Sequence, residues 1–231
     1  MKAVTNEKLI ARNAKIGTWS SLAGMAILGV GLYISFQWQK YIALSFVCLL
    51  AGIVLSNVGI YNANRWVKRP RPDEVLTKVL KGFDRRYYLY NYTLPVDHVL
   101  LGPSGLFVLV ARNHAGPIYC ANGRWRQKLN LFRVFGFLGE GVGNPTRDAE
   151  RSVRKIQKFL AEKMPQLGEM PVQSAVVFTN EKAELQVENP PLPVLDTKGL
   201  KDLLRKSPRD LLSGGQIRQV AEAFGVSGGS S

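Results

Sequence analysis

Cysteine, histidine and acid are scarce in this 231-residue chain. It carries two cysteines and two histidines, and 17 Asp and Glu against 31 Lys and Arg. Cys48 and Cys120 fall in such different surroundings that no disulfide is expected, and the part outside any membrane belongs in a reducing compartment. His98 and His114 lack the spacing of a metal cluster. No Gly-x-x-x-x-Gly-Lys-Ser/Thr loop, which transporter ATPases need to cradle phosphates, occurs. Without it, the string Leu212-Ser213-Gly214-Gly215-Gln216 matches the signature of transporter ATPases only by chance. Charge itself is missing from two long runs, residues 18–36 and 41–61.

Each uncharged run is long enough to cross a ~30 Å hydrocarbon core as a helix. Only Gln37-Trp38-Gln39-Lys40 lies between them, which forces an antiparallel transmembrane hairpin. Trp19, Trp38, Tyr41 and Tyr61 sit at its ends, where interfacial aromatics belong. Lys2, Lys8, Arg12 and Lys15 precede the first run; Arg65, Lys68, Arg69 and Arg71 follow the second; the connection has Lys40 alone. The positive-inside rule then puts both termini and the soluble domain in the cytoplasm, on a multi-pass cell-membrane protein. Cys48, Gly52 and Ser56 form a small-residue stripe, expected to pack within the hairpin and otherwise open to other membrane proteins. A cleaved signal peptide is disfavoured, because no A-x-A-like site follows and a second run starts at once. Two uncharged runs of this length also disfavour a buried soluble hairpin.

Of the net charge of +14, +10 lies in residues 65–231, which suggests DNA, RNA, anionic lipid or an acidic protein as partner. Residues 65–72 are basic and broken by prolines, a linker suited to anionic headgroups. A helix is expected over 73–83 and an aromatic strand over 87–92. Residues 94–101 and 106–112 read as strands folded back at Gly102-Pro103-Ser104-Gly105. A hairpin at 118–121 and 124–129 turns at Asn122-Gly123, and Arg124, Arg126 and Lys128 line one face of it. Residues 132–143, rich in Gly and Phe, are expected to loop over the sheet. Asn144-Pro145 opens a helix to about residue 163. Arg147, Arg151, Arg154, Lys155 and Lys158 fall on one side of it, opposite Ala149, Val153, Ile156 and Leu160. Strands follow at 172–179 and 194–195. Asp196 or Thr197 caps a helix through residue 206, Ser207-Pro208 starts another, a helix covers 216–224, and the tail is disordered.

The block at 97–113 carries a family resemblance. Asp97-His98, apolar residues, Gly102-Pro103-Ser104-Gly105 and the run through Phe107 and Val108, followed by Asn113, Gly116, Trp125 and Asn144-Pro145, resembles the nuclease-related domain over roughly residues 73–180. The resemblance implies an α/β fold, a restriction-endonuclease-like mixed sheet flanked by helices, here preceded by the transmembrane hairpin. Together with the uncharged runs and the basic linker, domain limits are expected at 1–64 for the hairpin, 65–72 for the linker, 73–206 for the nuclease-related domain and 207–231 for terminal helices and tail. The resemblance also implies a metal site, with acids at Glu74 and Asp97 and a Glu-x-Lys pair on the next strand. Val110 stands where the second acid belongs and Arg112 where the lysine does. Asp148 replaces a glutamine that the family shows after Asn-Pro.

Metal-dependent phosphodiester hydrolysis needs clustered carboxylates around a hard cation. Val110 ligates nothing, and Arg112 stays protonated and cannot act as a base. The expectation is therefore a degenerate nuclease domain without a cofactor, its basic face binding nucleic acid or another polyanion. The alternatives are a Mg²⁺-dependent nuclease with a relocated acid, Glu140 or Asp148 beside Glu74 and Asp97, and a membrane-bound scaffold for other proteins.

Overall fold

The computed structural model describes residues 1–127, 141–165, 170–208 and 211–225. The loop expected at 132–143 falls mostly outside these, and the tail beyond 225 wholly so. The chain forms two compact units, one from Glu7–Arg71 and the other from Met1–Asn6 and the described residues from Pro72 onward.

The first unit is a helical hairpin. Helix α1 (Glu7–Gln37) and helix α2 (Ile42–Asn62) are joined by a short turn at Gln39–Tyr41. Both are long and apolar enough to cross a membrane. Their contact is built on small residues every seventh position: Gly17, Gly24 and Gly31 are buried on α1, and Ser45, Gly52 and Gly59 on α2. The backbones approach so closely that a Cβ on Gly24 would lie 2.4 Å from Ser56 Oγ, and one on Gly31 would lie 2.9 Å from Cys48 Cβ. Ser45 Oγ donates to the Gly31 carbonyl at 2.8 Å. The stripe of Cys48, Gly52 and Ser56 is thus used inside the hairpin, by the small-residue packing typical of helices in lipid. The large side chains point outward. Among the described residues, every exposed large apolar side chain except Leu211 lies between Ile16 and Val67. Helix α2 continues into a π turn at Ala63–Val67, so the expected linker is helical for its first three residues.

The second unit is a layered α/β domain. A six-stranded sheet runs β1-β2-β3-β4-β7-β9, from β1 (Lys2–Thr5), β2 (Tyr88–Asn91), β3 (His98–Gly102), β4 (Gly105–Arg112), β7 (Val172–Phe178) and β9 (Val194–Asp196). Strands β2, β3 and β4 form an antiparallel meander, while β1, β7 and β9 pair in parallel. A smaller sheet runs β6-β5-β8, from β5 (Gly116–Ala121), β6 (Arg124–Gln127) and β8 (Ala183–Glu188). The edge strand β1 precedes the hairpin in sequence. It was expected to belong with the helices, yet Lys2 to Thr5 pair with Tyr88 to Asn91.

Strand alternation sends β4 side chains to two layers. Leu106 and Val108, with Val99 and Leu101, meet Ile156 and Leu160 of helix α4 (Pro145–Lys163) and Ile217, Val220 and Phe224 around helix α6 (Gly214–Ala223). Phe107 and Leu109, with Leu89, Leu100, Ala175 and Val177, meet Leu76 and Leu80 of helix α3 (Pro72–Leu80) and Leu200 and Leu204 of helix α5 (Thr197–Lys206). Helices α3 and α4 therefore cover opposite faces.

Local chemistry sets the boundaries. Asn144 caps α4 by accepting from Arg147 N at 3.1 Å, and Asp196 caps α5 by accepting from Gly199 N at 2.7 Å. The Ser-Gly-Gly-Gln string is a capping box for α6: Ser213 and Gln216 each satisfy the other's backbone. Among the described residues no helix opens at Ser207-Pro208; Ser207 is instead the C-cap of α5. At the Gly-Pro-Ser-Gly turn, Gly105 has φ +95° and lies against the Pro171 carbonyl, where a Cβ would come within 2.7 Å. Glycine is the residue that tolerates both conditions.

Candidate functional site

The β3–β4 register bears on the two positions where the resemblance implies acids. Val99 pairs with Val108 and Leu100 with Phe107; the ladder ends there, and a ladder continued for two residues would set position 97 opposite Val110. Asp97, expected within a strand over 94–101, lies instead just before β3, because that strand begins at His98. It sits in an exposed bend before His98, and its carbonyl accepts from Tyr92 N at 2.7 Å. Val110 is 8% exposed and packs with Ile118, Val142, Ala149, Val176 and Phe178. The position where the resemblance implies an acid is thus a hydrocarbon contact between the two sheets and the start of α4.

Glu74 lies half-buried in the first turn of α3. That helix is drawn to the same end of the sheet by Asn91. Its Nδ2 donates to Thr77 Oγ1 at 3.4 Å and to Thr5 Oγ1 at 3.1 Å, and its Oδ1 meets His98 Nδ1 at 2.9 Å. Since both amide hydrogens are used on hydroxyls, His98 carries its proton on Nδ1; this tautomer is assigned from the network. Asn91 and His98 are fully buried, and the Tyr92 ring lies 4.9 Å from the imidazole. One asparagine therefore joins α3, β1 and β3, the elements around Glu74 and Asp97. The sequence reading missed this hub, whose only signal is an asparagine at the end of an aromatic strand. Among the described residues, no three His, Cys, Asp or Glu side chains gather in a way that could hold a metal ion.

Arg112 shares the face of Val110 and reaches α4. Its Nη2 pairs with Asp148 Oδ2, and Asp148 Oδ1 lies 3.8 Å from Arg151 Nη1. The two departures that sequence treats separately, arginine for lysine and aspartate for glutamine, are one ion pair. Arg112 is 23% exposed and Asp148 40%, so the pair is open on one side.

The basic residues divide into two groups. Arg147, Arg151, Arg154, Lys155 and Lys158 are all exposed along α4. Lys158 has Glu162 at 3.8 Å. On the small sheet, Arg124 and Arg126 are exposed and share their face with Ala121 and Tyr119 across β5. The next strand on that face brings Glu188 and Gln186. Acid therefore stands about 10 Å from these arginines, two strand spacings away, close to the screening length at ~0.1 M salt. The α4 ridge carries more cations, five against two, with Asp148 beside Arg151 and Glu162 beside Lys158. Lys128, expected to extend the β6 row, lies outside the described residues. Trp125, between the two arginines, faces inward: its Nε1 donates to Thr146 Oγ1 at 2.8 Å and its ring lies 5.9 Å from Phe178.

The family model for the nuclease-related domain matches residues 56–179, more than half of the chain. No curated protein and no solved structure gives a match.

Proposed function

Given that the chain belongs to the nuclease-related domain family, a restriction-endonuclease-like fold, we propose that it is a membrane-anchored member without nuclease activity whose cytoplasmic domain binds nucleic acid through its phosphates. The observation that carries the loss of activity is the state of the two signature positions. Val110 is sealed in hydrocarbon, and Arg112 is engaged by Asp148. A hard divalent cation needs about six oxygen ligands. Glu74 and Asp97 supply carboxylates, while the third position offers a hydrocarbon branch. The residues present do not fit the metal, and no hydrolytic step is derived through it. Asp148, the acid that sequence offers as a relocated ligand, is already neutralised by two guanidinium groups.

Binding rests on the α4 ridge. Five exposed cations on one helix face suit a phosphate backbone, which is held by charge and releases counterions on binding. The expected affinity falls steeply with salt and is indifferent to sequence.

Anchoring rests on the inverted packing of the hairpin, small residues inside and large apolar ones outside. That pattern calls for an apolar solvent. Cations flank both outer ends, and both ends connect to the same sheet domain, through β1 and α3. An antiparallel hairpin with its ends on one side, the cytoplasmic one by the charge bias, satisfies both facts.

The test uses the full chain in mild detergent. Anisotropy titrations with labelled DNA and RNA across a salt series should show binding that weakens as salt rises. Incubation with Mg²⁺ or Mn²⁺ should leave the nucleic acid intact. Cleavage that Asp97→Ala abolishes would overturn the inactive reading, and absence of binding at low salt would overturn the polyanion reading. Extraction of membranes with alkaline carbonate should leave the protein in the pellet; its release would remove the anchor.

A further inference from the structure

We propose that Arg112 and Arg151 form a phosphate seat which the Asp148 carboxylate occupies, so that Asp148 is a built-in competitor that nucleic acid displaces. This rests on the polyanion reading of the domain and adds to it where the anion docks and what guards the place. The geometry is that of an anion between two guanidinium groups: Arg112 Nη2 on one carboxylate oxygen, Arg151 Nη1 3.8 Å from the other. A carboxylate and a phosphodiester present similar oxygens to such donors.

The two arginines come from different elements. Arg112 closes β4 and Arg151 is on α4, so the seat links the ancestral centre to the basic ridge. Helical spacing puts Lys155 one turn beyond Arg151, on the side of α4 that carries Asp148. A backbone lying along the ridge reaches Arg112 if Asp148 gives way. Access is open, since Asp148 is 40% exposed and Arg112 23%. The exchange replaces one anion by another, leaving neither guanidinium without a partner. The released carboxylate remains in the first turn of α4, where the helix favours negative charge.

The experiment compares Asp148→Asn with Glu150→Gln in the full chain, using a labelled DNA duplex of about 20 base pairs near 0.1 M salt. Both variants remove one negative charge from the same helix, but Glu150 is exposed and outside the seat. Asp148→Asn should bind about fivefold tighter, with a salt slope steeper by roughly one phosphate, while Glu150→Gln shifts affinity less than about twofold. Adding Arg112→Gln to Asp148→Asn should cancel the gain. Should Asp148→Asn fail to fold, Asp148→Gln, which restores the family's residue type, answers the same question. If the Asp148 variants merely match Glu150→Gln while the native chain binds, the seat is refuted and the polyanion reading stands. If no form binds, both fall.

Discussion

Replacing Val110 by Asp tests the central structural statement directly. The two side chains have similar volume, so the change adds charge with little steric strain. At 8% exposure among Ile118, Val142, Ala149, Val176 and Phe178, the new carboxylate has hydrocarbon on its sides. Arg112 lies two residues along the same face but is already paired. A buried carboxylate so placed costs several kcal/mol before relaxation, and partial help from Arg112 brings the expected loss to about 3 kcal/mol. In a domain of this size that is roughly 6–12 °C in Tm. Burial raises the carboxyl's folded-state pKa above its unfolded value. The stability deficit is therefore small at acid pH and grows as pH rises through the folded value. The assay is thermal unfolding of the full chain in detergent with chelator, across pH, with and without Mg²⁺. An unchanged Tm would show that water reaches Val110 and that no hydrocarbon seal exists. Stabilisation of the native chain by Mg²⁺, lost in Asp97→Asn, would show a working metal site and overturn the argument at its root.

Three further outcomes are expected. Tyr90 is fully buried with no partner for its hydroxyl among the described residues, so Tyr90→Phe should stabilise the domain by about 1 kcal/mol; a loss of stability on thermal melting would reveal a partner for the oxygen. In the hairpin, a Cβ on Gly24 meets the Ser56 backbone nitrogen at 2.6 Å, whereas one on Gly29 meets nothing within 4 Å. Gly24→Leu should loosen the helix pair and lower its melting temperature in micelles while Gly29→Leu does not, and equal effects would contradict the close packing. Burial pushes the Cys120 thiol upward, against an opposing hydrogen bond from Gly123 N–H. The folded state thus favours the neutral thiol, and this share of stability is present below about pH 8.5 and is lost as pH rises through the folded value. Maleimide should label Cys120 only on unfolding, and rapid labelling of the native chain would disprove its burial.

Much of this fold can be read from residue order because the signals are local. Charge-free runs mark α1 and α2, and Asn144-Pro145 with its helical periodicity marks α4 to its last residue. The Gly-Pro-Ser-Gly turn sets β3 against β4, and with it the relation of Val110 to Asp97. What escapes is non-local. Lys2-Ala3-Val4-Thr5 is too short to announce a strand, and its partner lies 86 residues away. Ala183–Glu188 alternates half-buried and exposed residues, a legible strand pattern that its two acids obscure. The pairing of Arg112 with Asp148 spans 36 residues, and no local rule connects two substitutions so far apart. The limits of the domain shift for the same reason: α6 fills the core with Ile217 and Val220 although it follows the expected end of the domain, and β1 joins from before the hairpin.

The early position of β1 makes assembly a matter of timing. Lys2 to Thr5 are made before both hydrophobic helices, and their partner strand only after them. Until then the first strand lacks the Tyr88–Asn91 partner that it has in the folded chain. If the hairpin spans a membrane as proposed, a chain that threads one helix and not the other would leave the two halves of this ladder on opposite sides, unable to pair. Under the proposed anchoring, pairing of β1 with β2 requires both helices to be placed, and a copy in which they are not keeps an unmatched β-edge, a template for aggregation.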